Sequence, residues 1–147
     1  MAIHDATPGT DHPGRTRDRR MGLALKFVQR MLAIRFGITG LLKLTGPIPD
    51  LARLLGWPGV VPAGLVRFIG LAELTGAIGL VLPARTGIKP ALTACAAGGL
   101  GVLMALATLF HLSRDEKGPL PVTLGLGALA VFVAWRQTRM TPSSSEI

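Results

Sequence analysis

Charged residues and cysteine are both scarce in this 147-residue chain. Charged residues make up 16% of the sequence, whereas a soluble globular chain usually carries about 25%. So few charges cannot coat a water-facing surface, which argues against a soluble globular domain or a soluble helical bundle. The one cysteine, Cys95, excludes a disulfide framework, a CxxC redox pair and a thiolate metal site formed within this chain.

The common sequence signatures of catalysis are also missing. The chain has no Walker loop, no metal-binding cluster, no serine-histidine-aspartate order and no dinucleotide-binding fingerprint. His111 is the only histidine outside the N-terminal tail, so one chain cannot supply a bis-histidine haem. We therefore expect an accessory membrane subunit rather than a stand-alone enzyme, with no metal site and no covalently bound cofactor.

What the chain does contain is a set of apolar segments that predict membrane-spanning helices. A transmembrane helix needs about 20 predominantly apolar residues. Residues 90–113 and 118–135 carry no formal charge, whereas the two earlier apolar segments each contain ionisable residues. Small residues recur at helical spacing in the second and third segments, which predicts that these two helices pack closely. The four predicted spans are residues 24–45, 63–84, 90–112 and 119–136.

The ends and connectors of the chain differ in composition from the predicted spans. Residues 1–22 are polar and basic and have too little apolar surface to offset the entropy of folding. We expect them to form a disordered cytoplasmic tail, followed by a four-span membrane domain at 23–140 and a second disordered tail at 141–147. Four prolines interrupt the connector 46–62, where leucines at helical spacing predict a short helix on the membrane surface.

The basic residues predict the orientation of the chain in a membrane. The formal net charge is +8, which in a soluble protein would suggest a nucleic-acid partner. Here most of the basic residues lie in the N-terminal tail and beside the apolar segments, as in a membrane protein. With a cytoplasmic N-terminus, ten of them fall on the cytoplasmic side and three on the other. We expect an all-α, integral membrane four-helix bundle with both termini cytoplasmic, whose partner is the lipid bilayer and not a nucleic acid.

Five ionisable residues in or near the first three spans are the candidate functional residues: Arg35, Lys43, Arg67, Glu73 and His111. A charge in hydrocarbon costs about 2.5 to 3.5 kcal/mol on insertion scales, so such groups should face the interior of the bundle and be paired. At 1.5 Å per residue, Arg35 lies about 15 Å from the outer end of the first span, and Glu73 lies about 15 Å from the outer end of the second. The shared depth predicts a buried ion pair between Arg35 and Glu73, with Arg67 as the competing partner.

Lys43, Arg67 and His111 fall near the outer edge on the same scale. Three groups that can be cationic, above a buried carboxylate, predict the mouth of a site for an anionic or quinone-like ligand. The structural alternative is that Lys43 and Arg67 extend to lipid phosphates and that His111 caps the end of the third span. Glu73 fits that alternative least well, because it lies too deep to reach the membrane surface.

Three runs of the sequence carry a specific pattern: GLLKLTG at 40–46, RFIGLAELTGAIGLVLP at 67–83 and LTACAAGGLGVLMALATLFHL at 92–112. The most specific part is Arg-x-x-Gly-x-x-Glu-x-x-Gly-x-x-Gly-x-x-x-Pro, which begins at Arg67 and ends at Pro83. Over residues 24–139 the chain resembles the DoxX-like family of small bacterial membrane proteins. Lys43 and His111 match polar positions that flank the family's motif.

The resemblance implies a four-helix integral protein of the bacterial inner membrane. It also implies a redox association, because the family takes its name from a subunit of a thiosulfate:quinone oxidoreductase or terminal quinol oxidase. The expected role is a subunit that binds a quinone or anchors a redox partner protein, soluble or membrane-bound. Glu73 and Arg67 would then polarise or exchange protons with a quinone carbonyl, with His111 at the entrance and Arg35 holding Glu73 ionised.

Two alternatives stay open at this point. The chain can be a non-catalytic scaffold or assembly subunit, in which the buried polar residues only set the register of the helices. It can also be a small-solute carrier, which implies a homo-oligomer because four short helices scarcely enclose a pathway alone.

Overall fold

Five α-helices account for most of the computed structural model, which describes residues 13–86 and 90–140. A 3₁₀ turn, Trp57–Gly59, follows the second helix. The five helices of these two ranges are α1 (Pro13–Thr45), α2 (Ile48–Leu55), α3 (Ala63–Thr86), α4 (Pro90–Ser113) and α5 (Leu120–Met140). The predicted all-α class is confirmed for the described residues.

Three of these helices are long and apolar enough to cross a membrane: Ala63–Pro83 in α3, Ala91–Ser113 in α4 and Leu120–Arg139 in α5. Helix α1 is longer, at 33 residues, but does not qualify by composition. Four basic residues recur along its apolar part, at positions 26, 30, 35 and 43. Three of the four predicted spans are therefore supported by length and composition.

Helix α1 begins earlier than the sequence predicts. It starts at Pro13, so residues 13–22, predicted to be disordered, are helical. Extending an existing helix avoids the cost of nucleation, arginine is a good helix former, and proline is well tolerated in the first turn. Residues 1–12 and the predicted tail 141–147 lie outside the described part of the chain.

The predicted short helix in the connector is present as α2. Pro47 precedes its first residue, and Gly56 ends it with a positive φ of 77°. Leu51 is buried whereas Leu54 is largely exposed. Helix α2 lies where α1 ends and α3 begins, and we call this end of the molecule the α2 end.

The long helices pack as two pairs, α1 with α3 and α4 with α5. The α1–α3 pair is very close at Gly40, where an added Cβ would lie 2.8 Å from the carbonyl oxygen of Gly70. In the α4–α5 pair, an added Cβ on Gly127 would lie 3.2 Å from the Cβ of Met104. At Gly40 a side chain would push the two backbones apart, whereas at Gly127 the neighbouring side chain would have to shift by a few tenths of an ångström.

The two pairs meet at the end opposite α2. There an added Cβ on Gly79 of α3 would lie 2.7 Å from the Cβ of Ala96 in α4, which confirms the predicted close packing of these helices. Gln137 of α5 donates a hydrogen bond to Gln29 of α1 at 3.5 Å. Towards the α2 end, space remains between the pairs, and this space holds the candidate site.

Candidate functional site

A buried ion pair joins α1 and α3. Lys43 Nζ lies 2.5 Å from Glu73 Oε1, and the two side chains are only 9% and 3% exposed. Gly70 leaves room for the pair, because a Cβ at this position would lie 2.8 Å from the Cβ of Lys43. The sequence prediction that Glu73 is buried and paired is therefore confirmed.

The predicted partner of Glu73 was wrong. Glu73 pairs with Lys43, whereas the Arg35 side chain is exposed. The prediction placed the outer ends of the first two spans at the same level. The contacts instead place Gly40 beside Glu73 and Gly37 beside Ala77. With this register, α3 begins about five residues, or roughly 7.5 Å, beyond the end of α1.

Arg67 holds the C-terminal turn of α1. Its guanidinium donates one hydrogen bond to the carbonyl oxygen of Lys43 and another, of 2.8 Å, to that of Gly46. Helix C-termini leave carbonyl groups without intrahelical partners and attract positive charge, so Arg67 satisfies both needs. The structure therefore places Arg67 on the backbone that carries Lys43 and not on the carboxylate of Glu73.

A cavity of about 640 Å³ lies between the two helix pairs at the α2 end. Pockets for small molecules usually measure about 300 to 1,000 Å³ and are mostly apolar with a few polar groups. This cavity follows that description, since 16 of its 23 lining residues have no side-chain group able to donate or accept a strong hydrogen bond. The lining residues that have such a group are Arg35, Thr39, Lys43, Trp57, Glu73, His111 and Thr123.

The cavity is open to the outer surface of the bundle. Several of the residues that line it are also largely exposed, among them Leu54 of α2, Phe68 of α3 and Leu106 of α4. Exposed apolar side chains on helices of this hydropathy face lipid. A lipophilic molecule therefore has an apolar route from the bilayer into the cavity.

One oxygen of the ion pair has no partner. Glu73 Oε2 is buried and makes no hydrogen bond within the described part of the chain, although Glu73 lines the cavity. Leaving a buried acceptor unsatisfied is costly, so such an atom calls for an explanation. The cavity that Glu73 lines is the side from which a ligand would approach this oxygen.

Lys43 also faces an aromatic ring. Its Nζ lies 5.5 Å from the centroid of Trp57, which follows α2 and lines the same cavity. A lysine ammonium over an indole face is a cation–π contact. Lys43 is thus held between a carboxylate and an aromatic ring at the cavity wall.

His111 lies on the wall formed by α4. The side chain is buried, and its Nδ1 lies 2.8 Å from Glu116 Oε2 in the α4–α5 turn. Hydrogen bonds from Arg114 first, and from His111 second, hold the pKa of Glu116 below its ordinary value of 4.5. With a neutral ring, Nδ1–H donates to Glu116 and Nε2 is left with a lone pair. No hydrogen bond from a described residue engages Nε2.

A pair of threonines on the same side of the cavity as His111 was not predicted from the sequence. Thr108 Oγ1 of α4 and Thr123 Oγ1 of α5 lie 2.9 Å apart, and both residues are buried. Their signal in the sequence is positional, because antiparallel helices joined by a short turn bring residues at equal distances from the turn together. The pair fixes the register of α4 against α5 beside the cavity.

The described residues contain no group of three or more histidine, cysteine, aspartate or glutamate side chains that could hold a metal ion. Cys95 is exposed on α4 and lies outside the lining of the cavity.

These features define a helical membrane protein with a small-molecule cavity beside a buried ion pair. The family model described as DoxX-like family matches residues 27–133, about three quarters of the chain. The chain therefore belongs to the DoxX-like family, as the resemblance of its motifs indicated. The comparisons with curated proteins and with solved structures found no match.

Proposed function

We propose that this protein binds a quinone in the cavity between its two helix pairs and serves as a quinone-interacting subunit of a membrane redox complex. The observation that carries the proposal is Glu73 Oε2, a buried oxygen without a hydrogen-bond partner beside a mostly apolar cavity. A quinone has an apolar body for such a lining, and its reduced form carries hydroxyl groups that donate to such an oxygen. A redox partner protein, soluble or in the membrane, would exchange electrons with the bound quinone.

In this proposal α1 is the fourth membrane span, and both termini are cytoplasmic in the bacterial inner membrane. The charges that lower the hydropathy of α1 do not require it to leave the bilayer. Lys43 is buried in an ion pair and Arg35 lines the cavity. Lys26 and Arg30 lie towards the opposite end of the helix, at the cytoplasmic interface in this orientation.

The residues of the cavity supply binding and proton exchange. A quinone takes up two electrons and two protons when it is reduced. Lys43 donates a hydrogen bond to a ligand oxygen, and its charge compensates that of Glu73. Glu73 accepts or returns a proton at Oε2. Arg67 acts indirectly, because its hydrogen bonds hold the α1 turn that bears Lys43.

Bound quinone in the purified protein tests the proposal. We expect the wild-type protein, extracted in mild detergent with a reductant present, to retain reduced quinone in a fixed ratio to protein and Glu73→Gln to lose most of it. Asp50→Asn is the matched control, because it makes the same acid-to-amide change at an exposed position on α2. A folded wild-type preparation without quinone, or equal quinone in Glu73→Gln, contradicts the proposal.

The scaffold remains the second candidate function, and one observation favours it. Lys43 and Glu73 connect α1 with α3, and buried polar pairs can specify helix register without any chemistry. On this hypothesis Glu73→Gln lowers the amount of assembled protein, and the surviving protein shows no separate defect in quinone content. The same two variants therefore distinguish the two candidates.

A further inference from the structure

We infer that the cavity selects a ligand head group with a hydroxyl donor, and so binds the dihydroxy form of a quinone more tightly than the oxidised form. This inference rests on the proposed function, because it concerns the same cavity. It goes further by assigning the oxidation state that the site prefers. Its basis is the balance of hydrogen-bond donors and acceptors on the walls.

The decisive group is Glu73 Oε2. The Glu73 side chain is 97% buried, and its other oxygen is bonded to Lys43 Nζ at 2.5 Å. An ionised carboxylate can only accept hydrogen bonds. Oε2 is itself covered in this structure, so it meets a ligand when the carboxylate turns towards the cavity that Glu73 lines. A ligand hydroxyl group then donates to Oε2 and satisfies it, whereas a carbonyl oxygen at that position brings two acceptors together.

The opposite wall adds one more acceptor when the His111 ring is neutral, and its two described threonines offer no free hydroxyl proton. His111 Nε2 bears a lone pair when Nδ1–H donates to Glu116. The hydroxyl of Thr123 lies 3.2 Å from the carbonyl oxygen of Leu120, which accepts its proton. The other threonine of the pair, Thr108, has the carbonyl oxygen of Met104 as an acceptor at 2.8 Å.

The donors on the walls can bind both forms. Lys43 and Arg35 are the positively charged residues that line the cavity among the described residues. Their N–H groups can donate to a carbonyl oxygen and to the lone pair of a hydroxyl oxygen. The preference therefore comes from Glu73 Oε2, which can only accept and so favours an O–H group on the ligand.

The expected preference is measurable as a potential. A hydrogen bond to a charged group contributes enough for a preference of about 10- to 100-fold. Reduction of the bound quinone consumes two electrons and two protons and yields the dihydroxy form. Each tenfold preference for the product raises the midpoint potential of the bound two-electron couple by about 30 mV.

A redox-inert pair of ligands tests the donor requirement by itself. We would measure binding of a long-chain 4-alkylphenol and of its methyl ether, which differ in the O–H group, to the full-length protein in lipid nanodiscs. We expect the phenol to bind at least about tenfold more tightly. In Glu73→Gln the ratio should fall towards one, because the amide can donate to the ether oxygen. Arg35→Gln should weaken both ligands alike and keep the ratio.

A redox titration with a decyl-chain quinone completes the experiment. We expect a bound midpoint potential above that of the same quinone in empty nanodiscs. Binding of the oxidised form as tight as that of the reduced form, or a phenol no better than its ether, overturns the inference and leaves the proposed function standing. If the phenol, its ether and both oxidation states of the quinone all fail to bind, the proposed function itself is overturned. The wild-type measurements decide the matter even if Glu73→Gln does not fold.

Discussion

Gly40 of α1 and Gly70 of α3 lie so close that a Cβ on either one would come within 3 Å of the other's carbonyl oxygen. This contact sets the register that places Lys43 beside Glu73. The register also leaves the start of α3 beyond the end of α1, where α2 fills the offset and contributes to the cavity. A pair of glycines thus determines which cation meets the buried carboxylate.

Replacing Gly70 with alanine tests this contact. The added methyl group would lie 2.8 Å from the Cβ of Lys43 and 2.9 Å from the carbonyl oxygen of Gly40, so the helices must separate. We expect a loss of about 1 to 3 kcal/mol of stability, measured by thermal unfolding followed by circular dichroism in detergent. Gly98→Ala is the control, because an added Cβ there meets open space. Equal melting temperatures for the two variants would count against the register described here.

The ion pair predicts a non-additive mutant cycle. Removing one partner of a buried pair leaves an uncompensated charge, which usually costs about 3 to 5 kcal/mol, whereas removing both costs less. We therefore expect Lys43→Met with Glu73→Leu to be better tolerated than either single change, measured as folded protein in the membrane. Arg35→Leu is the comparison, and its effect should add to that of Glu73→Leu. Additive effects for Lys43 and Glu73 would contradict the pairing.

Arg67 should affect stability more than ligand content. Arg67→Gln removes two charge-assisted hydrogen bonds to α1 carbonyl groups, at an expected cost of about 1.5 to 3 kcal/mol for each bond. Thermal unfolding measures this loss, with the exposed Arg53→Gln as control. The quinone bound per folded molecule should change little. A selective loss of quinone at unchanged stability would instead place Arg67 in the site.

The α4–α5 turn should weaken in acid. The folded pKa of Glu116 lies below 4.5 because Arg114 and His111 hydrogen-bond its carboxylate. A lowered folded pKa means that the stabilisation is complete above about pH 4.5 and is lost as the pH falls through the folded value. At neutral pH we expect the wild-type protein to have a higher melting temperature than Glu116→Gln. This difference in melting temperature should disappear in acid. A gap that is constant from pH 7 to pH 3 would disagree with this account.

The sequence predicts the helices and the burial of Glu73 well, because both follow from the spacing of apolar and charged residues. Helix α3, for example, starts at the predicted residue, Ala63. The partner of Glu73 could not be predicted from the sequence, because it depends on how far the connector offsets α3 from α1. A shift of about five residues along a helix exchanges Arg35 for Lys43.

The free oxygen of Glu73 could not be predicted for a different reason. A sequence shows that a carboxylate is buried, but only coordinates show that Lys43 engages one of its oxygens and leaves the other unpartnered. The start of α1 at Pro13 was missed because composition describes isolated segments. A polar segment joined to a long helix can continue that helix.

Filling the cavity tests the central claim most directly, because it leaves the ion pair intact. Ala107 lines the cavity, whereas Ala105, on the same helix, is exposed and outside the lining. The measurement is quinone bound per folded molecule in Ala107→Phe and Ala105→Phe. We predict that Ala107→Phe excludes the quinone and that Ala105→Phe retains it at the wild-type ratio. Full quinone content in a folded Ala107→Phe protein would contradict the account.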